Sequence, residues 1–146
     1  MNQRKMKKIL TAFICIICIY NSLLAQIDED LIIVQQLFDD QKFDEVIKYK
    51  SKKIKKLSSK CLYYKGLSFF NKEDDKSANH FFDLAIKKGP IDEAMYFYRG
   101  FTFFYLGRFN QALIDFKYLI NQNQSKSIAY SLAGESFLRL NQKDSA

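Results

Sequence analysis

Gly66, Gly100 and Gly134 recur at one fixed stride, and the same stride carries Phe69, Phe103 and Phe137, then Ala78, Ala112 and Ala146. A constant period in the range of tens of residues marks a repeat architecture. Each unit is a helix pair that cannot bury its apolar side alone, so neighbouring units must stack. The composition agrees. Five Gly and one Pro in 146 residues leave few positions for the turns of an all-β chain, and 16% aromatic content supplies a core that a disordered segment lacks. The expectation is an all-α, right-handed solenoid of stacked antiparallel helix pairs, with about 3.5 units.

Apolar spacing places the helices. Asp28 to Phe38 carries Leu31, Val34, Leu37 and Phe38 on one side, and Phe43, Val46, Ile47, Ile54 and Leu57 mark a second helix after a polar turn. Ser58 and Ser59 supply a break and a cap. The next pair is expected over 59–71 and 75–87, ended by Gly89 and Pro90. The third covers 92–106 and 109–121, with Gly107 in the turn, and the polar stretch 121–127 closes it. A further first helix runs from Ser127 to Leu140, and its mate should begin near Ala146. The units are therefore a divergent 28–57, then 59–92, 93–126 and a truncated 127–146.

The N-terminus has a different character. Arg4, Lys5, Lys7 and Lys8 precede an apolar run from Ile9 to Tyr20 broken only by Thr11, and Ala25 is a small residue suited to a cleavage site. Residues 1–25 read as a signal peptide and 26–146 as a repeat domain that is periplasmic or secreted. The run is shorter than the ~20 apolar residues of a spanning helix, and an uncleaved membrane anchor is the alternative. Cys15 and Cys18 belong to this segment, which leaves Cys61 without an internal disulfide partner. A small buried core residue is the expectation for Cys61, and an intermolecular thiol the alternative.

The formal charge of +7 is largely local. Without the four N-terminal cations, the 23 basic residues become 19 against 16 acids, a net of +3. Lys48, Lys50, Lys52, Lys53, Lys55, Lys56 and Lys60 form one run free of acids. Within it, Lys48, Lys52, Lys53, Lys55 and Lys56 are a candidate basic patch for an anionic envelope surface, set against the commoner solvated helix face. Nucleic acid is not an expected partner, since no recognition motif accompanies the charge.

Aligned on its glycine, each unit resembles the tetratricopeptide repeat, a helix–turn–helix motif of about 34 residues. The large residue four places before the glycine is Leu62, Tyr96 and Tyr130, and the aromatic three places after it is Phe69, Phe103 and Phe137. The small residue at the helix crossing is Ala78, Ala112 and Ala146, and the later aromatic is Phe82 and Phe116. The closing proline is Pro90 in one unit, with Gln124 in the next. Glycine and alanine let backbones approach, and rings fill the wider gaps. The repeat core is accordingly Gly66, Phe69, Ala78, Phe82, Gly100, Phe103, Ala112, Phe116, Gly134 and Phe137. There are departures. Lys65 and Arg99 stand where the motif has Leu, and are expected to lay their stems on the core with the charge in water. Asp75 replaces a turn aromatic that Phe109 keeps. The first pair matches only through Phe43, Val46 and Ile47, with its phase slipped by two residues.

In this family the first helices of successive units line a concave groove that holds partner peptides, and the resemblance implies such a groove here. The helix from Ala94 to Leu106 is apolar nearly all round, so more than one face needs cover. Tyr96, Gly100 and Phe103 go to the repeat core, which leaves Phe97, Phe101, Phe104 and Tyr105 on the other side. Tyr63, Leu67 and Phe70 match them one unit earlier, and Ile128, Ser131 and Leu138 one unit later. Together these are the candidate partner-binding groove, for a peptide or helix of another protein. The alternative is that neighbouring helices of the same chain cover the rings.

No catalytic, cofactor-binding or metal site is expected. His80 is the only histidine, and Asp74 and Asp75 near it are ordinary acids of a helix start. No glycine-rich phosphate loop, nucleophile elbow or paired-cysteine motif occurs. The expected function is a non-catalytic protein–protein interaction module. The alternative is a structural segment of a longer exported protein whose catalytic or sensor part lies elsewhere. A carbohydrate-stacking role for the rings ranks behind both, because Glu135 is the only carboxylate near them by register. The truncated last unit adds an expectation of self-association through an uncapped C-terminal end.

Overall fold

The computed structural model describes residues 13–17, 28–50, 57–89, 92–122 and 127–144. Residues 13–17 are helical, and seven further helices follow: α1 (Glu29–Asp39), α2 (Phe43–Lys48), α3 (Ser59–Asn71), α4 (Asp75–Lys88), α5 (Glu93–Tyr105), α6 (Phe109–Asn121) and α7 (Ser127–Asp144). No strand occurs among the described residues. Consecutive helices pack in adjacent pairs, and every contact between these helices links elements no more than two apart in chain order. The signal-peptide reading of 1–25 falls, apart from 13–17, outside the described residues, as do Lys52, Lys53, Lys55 and Lys56.

Helix starts follow from local chemistry. Asp28, Ser58, Asp74 and Asp92 each accept a bond from a first-turn N–H, at 3.0, 3.3, 3.1 and 2.9 Å. The three pairs also close with one kind of turn. The N–H groups of Lys42, Asp74 and Arg108 reach back to the carbonyls of Leu37, Phe69 and Phe103 at 2.9, 3.0 and 2.8 Å. The residue before each donor is left-handed: Gln41 at φ 58°, Glu73 at φ 59° and Gly107 at φ 68°. This is a common way for a helix to satisfy its last carbonyls. Glu73 and Gly107 are separated by the full glycine stride, whereas Gln41 stands slightly closer to Glu73 than that stride. The first pair is thus a unit of the same kind, displaced by two residues. With that displacement, Val34 and Val46 fall on the positions of Gly66 and Ala78, and both valines are fully buried. A crossing built from two valines is wider than one built from glycine and alanine, which hides the motif in this unit.

The interior repeats with the same stride. Cys61, Met95 and Ala129 are buried, as are Ala78 and Ala112, Phe82 and Phe116, and Ala85 and Leu119. A Cβ placed on Gly66 would lie 2.6 Å from the Phe82 ring, and one on Gly100 would lie 2.9 Å from the Phe116 ring. Each second-helix ring therefore rests directly on the glycine of its partner helix. Ser68, Thr102 and Ser136 form a further buried series at this stride. Their hydroxyls return bonds to their own helices, at Tyr64 O (2.8 Å), Arg99 O (2.8 Å) and Leu132 O (2.7 Å). Asn79 of α4 donates to Thr102 at 3.1 Å, which ties the second pair to the third.

Several expectations are corrected. The second helix stops at Lys48, with Tyr49, Lys50 and Leu57 outside any helix, and Ile54 lies outside the described residues. Tyr49 turns extended (φ −57°, ψ 131°), packs against the Val34–Val46–Cys61 cluster, and donates its hydroxyl to Asp30 at 2.8 Å. Lys65 and Arg99 do not hold their charges in water. Lys65 is buried, donates to Ile47 O at 2.6 Å, and lies 5.8 Å from the centre of the Phe81 ring. Arg99 grips Asp115 and Asp83. Phe81 and Asp115 hold equivalent positions in successive units, so the same cationic position meets a ring in one unit and a carboxylate in the next.

The last unit departs most. α7 runs on to Asp144, past the predicted end at Leu140, so Asp144 is helical and no turn forms at Asn141, the stride equivalent of Gly107. Among the described residues no helix folds back over this face of α7. A Cβ on Gly134 would meet nothing within 4 Å, and Phe137 is 58% exposed. The sequence pattern assigns both to the core. They keep the register, and among the described residues no helix covers them.

Candidate functional site

α3 and α5, the first helices of successive pairs, touch along one side, and α7 continues the series against α5. The near-continuous apolar character of α5 gives it a second apolar face beyond the one its own pair buries. On that side the rings form a connected chain. Tyr63 lies 6.2 Å from Tyr98, Tyr98 5.5 Å from Phe70, and Phe70 5.8 Å from Phe101, centre to centre. Phe101 stacks on Phe97 at 5.9 Å and meets Tyr105 edge-on at 4.8 Å. Tyr105 in turn lies 5.9 Å from Phe104. Edge-to-face and offset contacts at these distances are the favoured ones for aromatic pairs.

The structure sorts the candidate residues by exposure. Leu67 is buried and packs with Ala78 and Phe82, so it belongs to the core of the second pair and leaves the groove. It lies at the edge between two apolar faces, and the close packing under Gly66 draws it inward. Phe97 and Phe104 are half-buried against the Phe103–Phe116 cluster. Tyr63, Phe70 and Phe101 are half-buried against the rings of the neighbouring helix. Tyr105, at 61% exposure, and Ile128, Ser131 and Leu138 stand open to solvent. Neighbouring helices thus cover part of the ring surface, and its edge along Tyr105 and α7 is free. Burial, and secondarily Tyr98, push the Tyr63 phenol well above its ordinary range, so it stays neutral. Tyr98, at the junction of Tyr63, Phe70 and Phe97, escapes the sequence reading; its signal is its place in the unbroken aromatic run of α5.

The remaining candidates are dispersed. Lys48 is exposed at the end of α2. His80 is exposed on α4 with Phe81 against its ring at 5.5 Å. The described residues contain no group of three or more His, Cys, Asp or Glu able to hold a metal ion. Cys61 is fully buried, and burial is the main cause that pushes its thiol upward and keeps it from the nucleophilic thiolate form. A shallow cavity of about 240 Å³ lies at the first turn, lined by Gln41, Lys42, Phe43, Asp44, Glu45 and Lys72. Lys72 and Asp44 pair across it at 2.9 Å, and the bond from Lys72 is the main cause that lowers the Asp44 carboxyl.

No helix among the described residues is long and apolar enough to cross a membrane. A scan against protein-family models, a search of curated proteins and a search of solved structures each found no match to this chain.

Proposed function

We propose that this chain is an exported, non-catalytic helical-repeat module of the tetratricopeptide type that holds a peptide or helix of another protein against α3, α5 and α7. The observation that carries the reading is the connected ring series from Tyr63 through Tyr98, Phe70 and Phe101 to the exposed Tyr105, with exposed Ile128 and Leu138 on the next first helix, α7. Rigid aromatic side chains give large contact area at low entropic cost and dominate binding energy where a partner desolvates them. The half-buried rings form the floor, and the open residues at Tyr105 and α7 form the part a partner would bury.

The test is capture from an envelope extract by the immobilised protein, run in parallel with a Tyr105→Ser/Leu138→Ser double variant. Both positions are more than half exposed, so the variant keeps the fold. A protein retained by the parent and lost by the variant supports the reading. Equal retention by both overturns it.

A further inference from the structure

We propose that the buried ammonium of Lys65 is a seat for a small oxyanion, a phosphate or carboxylate group, at the seam between the first and second helix pairs. The site stands apart from the aromatic groove, because Lys65 and Tyr63 lie two places apart on α3 and so on different faces of that helix. It begins with a cationic position that the chain uses twice. One stride on, Arg99 finds two carboxylates: Asp115 of its own pair at 2.6 and 2.8 Å, and Asp83 of the pair before at 2.7 Å. Lys65 finds none. Its own pair offers Phe81, whose ring centre lies 5.8 Å away, and the pair before offers the Ile47 carbonyl at 2.6 Å.

Lys65 is only 6% exposed, yet no ion pair among the described residues involves it. An ammonium carries three N–H donors. One is given to Ile47, and the others have no acceptor among the described residues. The titratable groups that act on Lys65 are Cys61 and Lys50. Burial pushes the Cys61 thiol up and keeps it protonated, so it supplies no negative charge at neutral pH. Lys50 is exposed and adds a second cation. Residues 51–56, outside the described residues, are four lysines, a serine and an isoleucine, and hold no carboxylate that could pair with it.

A cation withdrawn from water costs free energy until a negative group meets it. Burial, above all, pushes the Lys65 amine below its ordinary range, as a missing counter-charge requires. The bond to Ile47 is only partly buried, so the ammonium can be reached from solvent. An oxyanion would accept the remaining N–H groups as charge-assisted bonds and draw on Lys50 as well. A neutral polar ligand gains no charge attraction there, and a cation is repelled. The fold thus supplies the counter-ion itself at Arg99 and takes it from a ligand at Lys65.

The experiment combines thermal melts of the full chain, with chloride replaced stepwise by phosphate or by acetate at fixed ionic strength, and NMR titration of the Lys65 side chain. The preferred anion should raise the melting temperature along a saturating curve, with a half-effect on the order of 1–10 mM. It should also raise the pH midpoint of Lys65. A larger response to phosphate assigns a phosphate-bearing ligand, and a larger response to acetate a carboxylate. Lys65→Met keeps the apolar stem, and should fold while losing the saturable response. Lys50→Ser should weaken the response several-fold, and Lys117→Ser, on α6, should leave it unchanged. A rise that never saturates, or the same curve in Lys65→Met, is a general salt effect and overturns the proposal. So does a Lys65 midpoint that neither anion moves, whether the amine is charged or neutral. That measurement is made on the parent, and decides the matter even where Lys65→Met fails to fold.

Discussion

Arg99 holds Asp115 by two short bonds, Nη2 to Oδ1 at 2.6 Å and Nε to Oδ2 at 2.8 Å, while Asp115 is only 1% exposed. Its third arm, Nη1, reaches Asp83 of α4 at 2.7 Å. One side chain of α5 thus bonds to the helices on either side of it, and the planar guanidinium matches a carboxylate in a way lysine cannot. Removing Arg99 leaves the Asp115 charge buried and unpaired, whereas removing Asp115 leaves Arg99 paired with Asp83. Arg99→Leu should therefore destabilise by about 3–5 kcal/mol, Asp115→Leu by less, and the double change Arg99→Leu/Asp115→Leu should cost much less than the two single changes added. Urea melts of the four proteins decide this. Additive losses would show that the two residues act separately.

The three glycines of the register should respond with opposite signs. At Gly66 and Gly100 an alanine methyl would collide with Phe82 or Phe116, both of which are fully buried and cannot swing away. Each Gly→Ala change there should cost roughly 1–3 kcal/mol. At Gly134 the methyl meets open space, and the better helix propensity of alanine should stabilise by up to ~1 kcal/mol. Thermal melts of the three variants test the contrast, and a loss at Gly134 would contradict the open face.

Binding and stability should separate along the ring series. Tyr105→Ala should weaken partner binding by more than ~1 kcal/mol and leave stability within ~0.5 kcal/mol of the parent. Phe101→Ala should weaken binding and also lower stability, because its ring packs on Phe70 and Phe97. Phe103→Ala, in the core cluster, should cost roughly 3–5 kcal/mol. Calorimetry with a captured partner, together with melts, would show whether this order holds.

Alkaline pH should loosen the first pair. Burial chiefly, and then the bond to Asp30, hold the Tyr49 phenol up at about 12, from an ordinary 10. The neutral phenol is the form that donates to Asp30. Its stabilisation is whole below pH 10, where folded and unfolded chains are both protonated, and is lost as pH rises from 10 towards 12. Tyr49→Phe should begin less stable and lose less across that window. Urea midpoints on either side of the window measure the difference, and parallel curves would show that Tyr49 adds nothing.

The proposed export makes a simple chemical prediction: cleavage after Ala25 would leave Gln26 as the first residue of the product. N-terminal sequencing of the native product should read Gln26. An intact Met1 in the membrane pellet would indicate an anchor.

Much of the fold is legible in the sequence because the stride and the caps agree. α3 and α6 begin and end at the residues expected from Ser58, Asn71, Phe109 and Asn121. The first unit is obscured because valines hold its crossing: Val46 enters the pattern only through the slipped phase, and Val34 does not stand out where a small residue is sought. Asp115 escapes notice as the partner of Arg99 because the two are 16 residues apart, a separation that only tertiary packing brings together. The buried hydroxyls at Ser68, Thr102 and Ser136 lie on the stride in plain view, but small polar residues carry little weight in an apolar pattern. Gly134 and Phe137 show the opposite failure. A single helix records the face it would present to a partner, and cannot record whether that partner is there. Leu67 reads as a groove residue because periodicity alone does not settle a position at the border of two faces.

Among the described residues no helix touches another more than two places away in chain order, and this has a genetic consequence. A block one stride long, duplicated or lost between the Gly66 and Gly100 positions, keeps the stride and makes its new contacts at a hybrid helix pair. A deletion joining the chain before Gly66 to the chain from Gly100 onward would set Lys65 opposite Asp115, a cation against a carboxylate. The duplication would set Arg99 opposite a copy of Phe81, a cation over a ring. Both hybrids preserve an attraction, so unequal exchange between the two units could change the length of this protein without a hostile contact at the join.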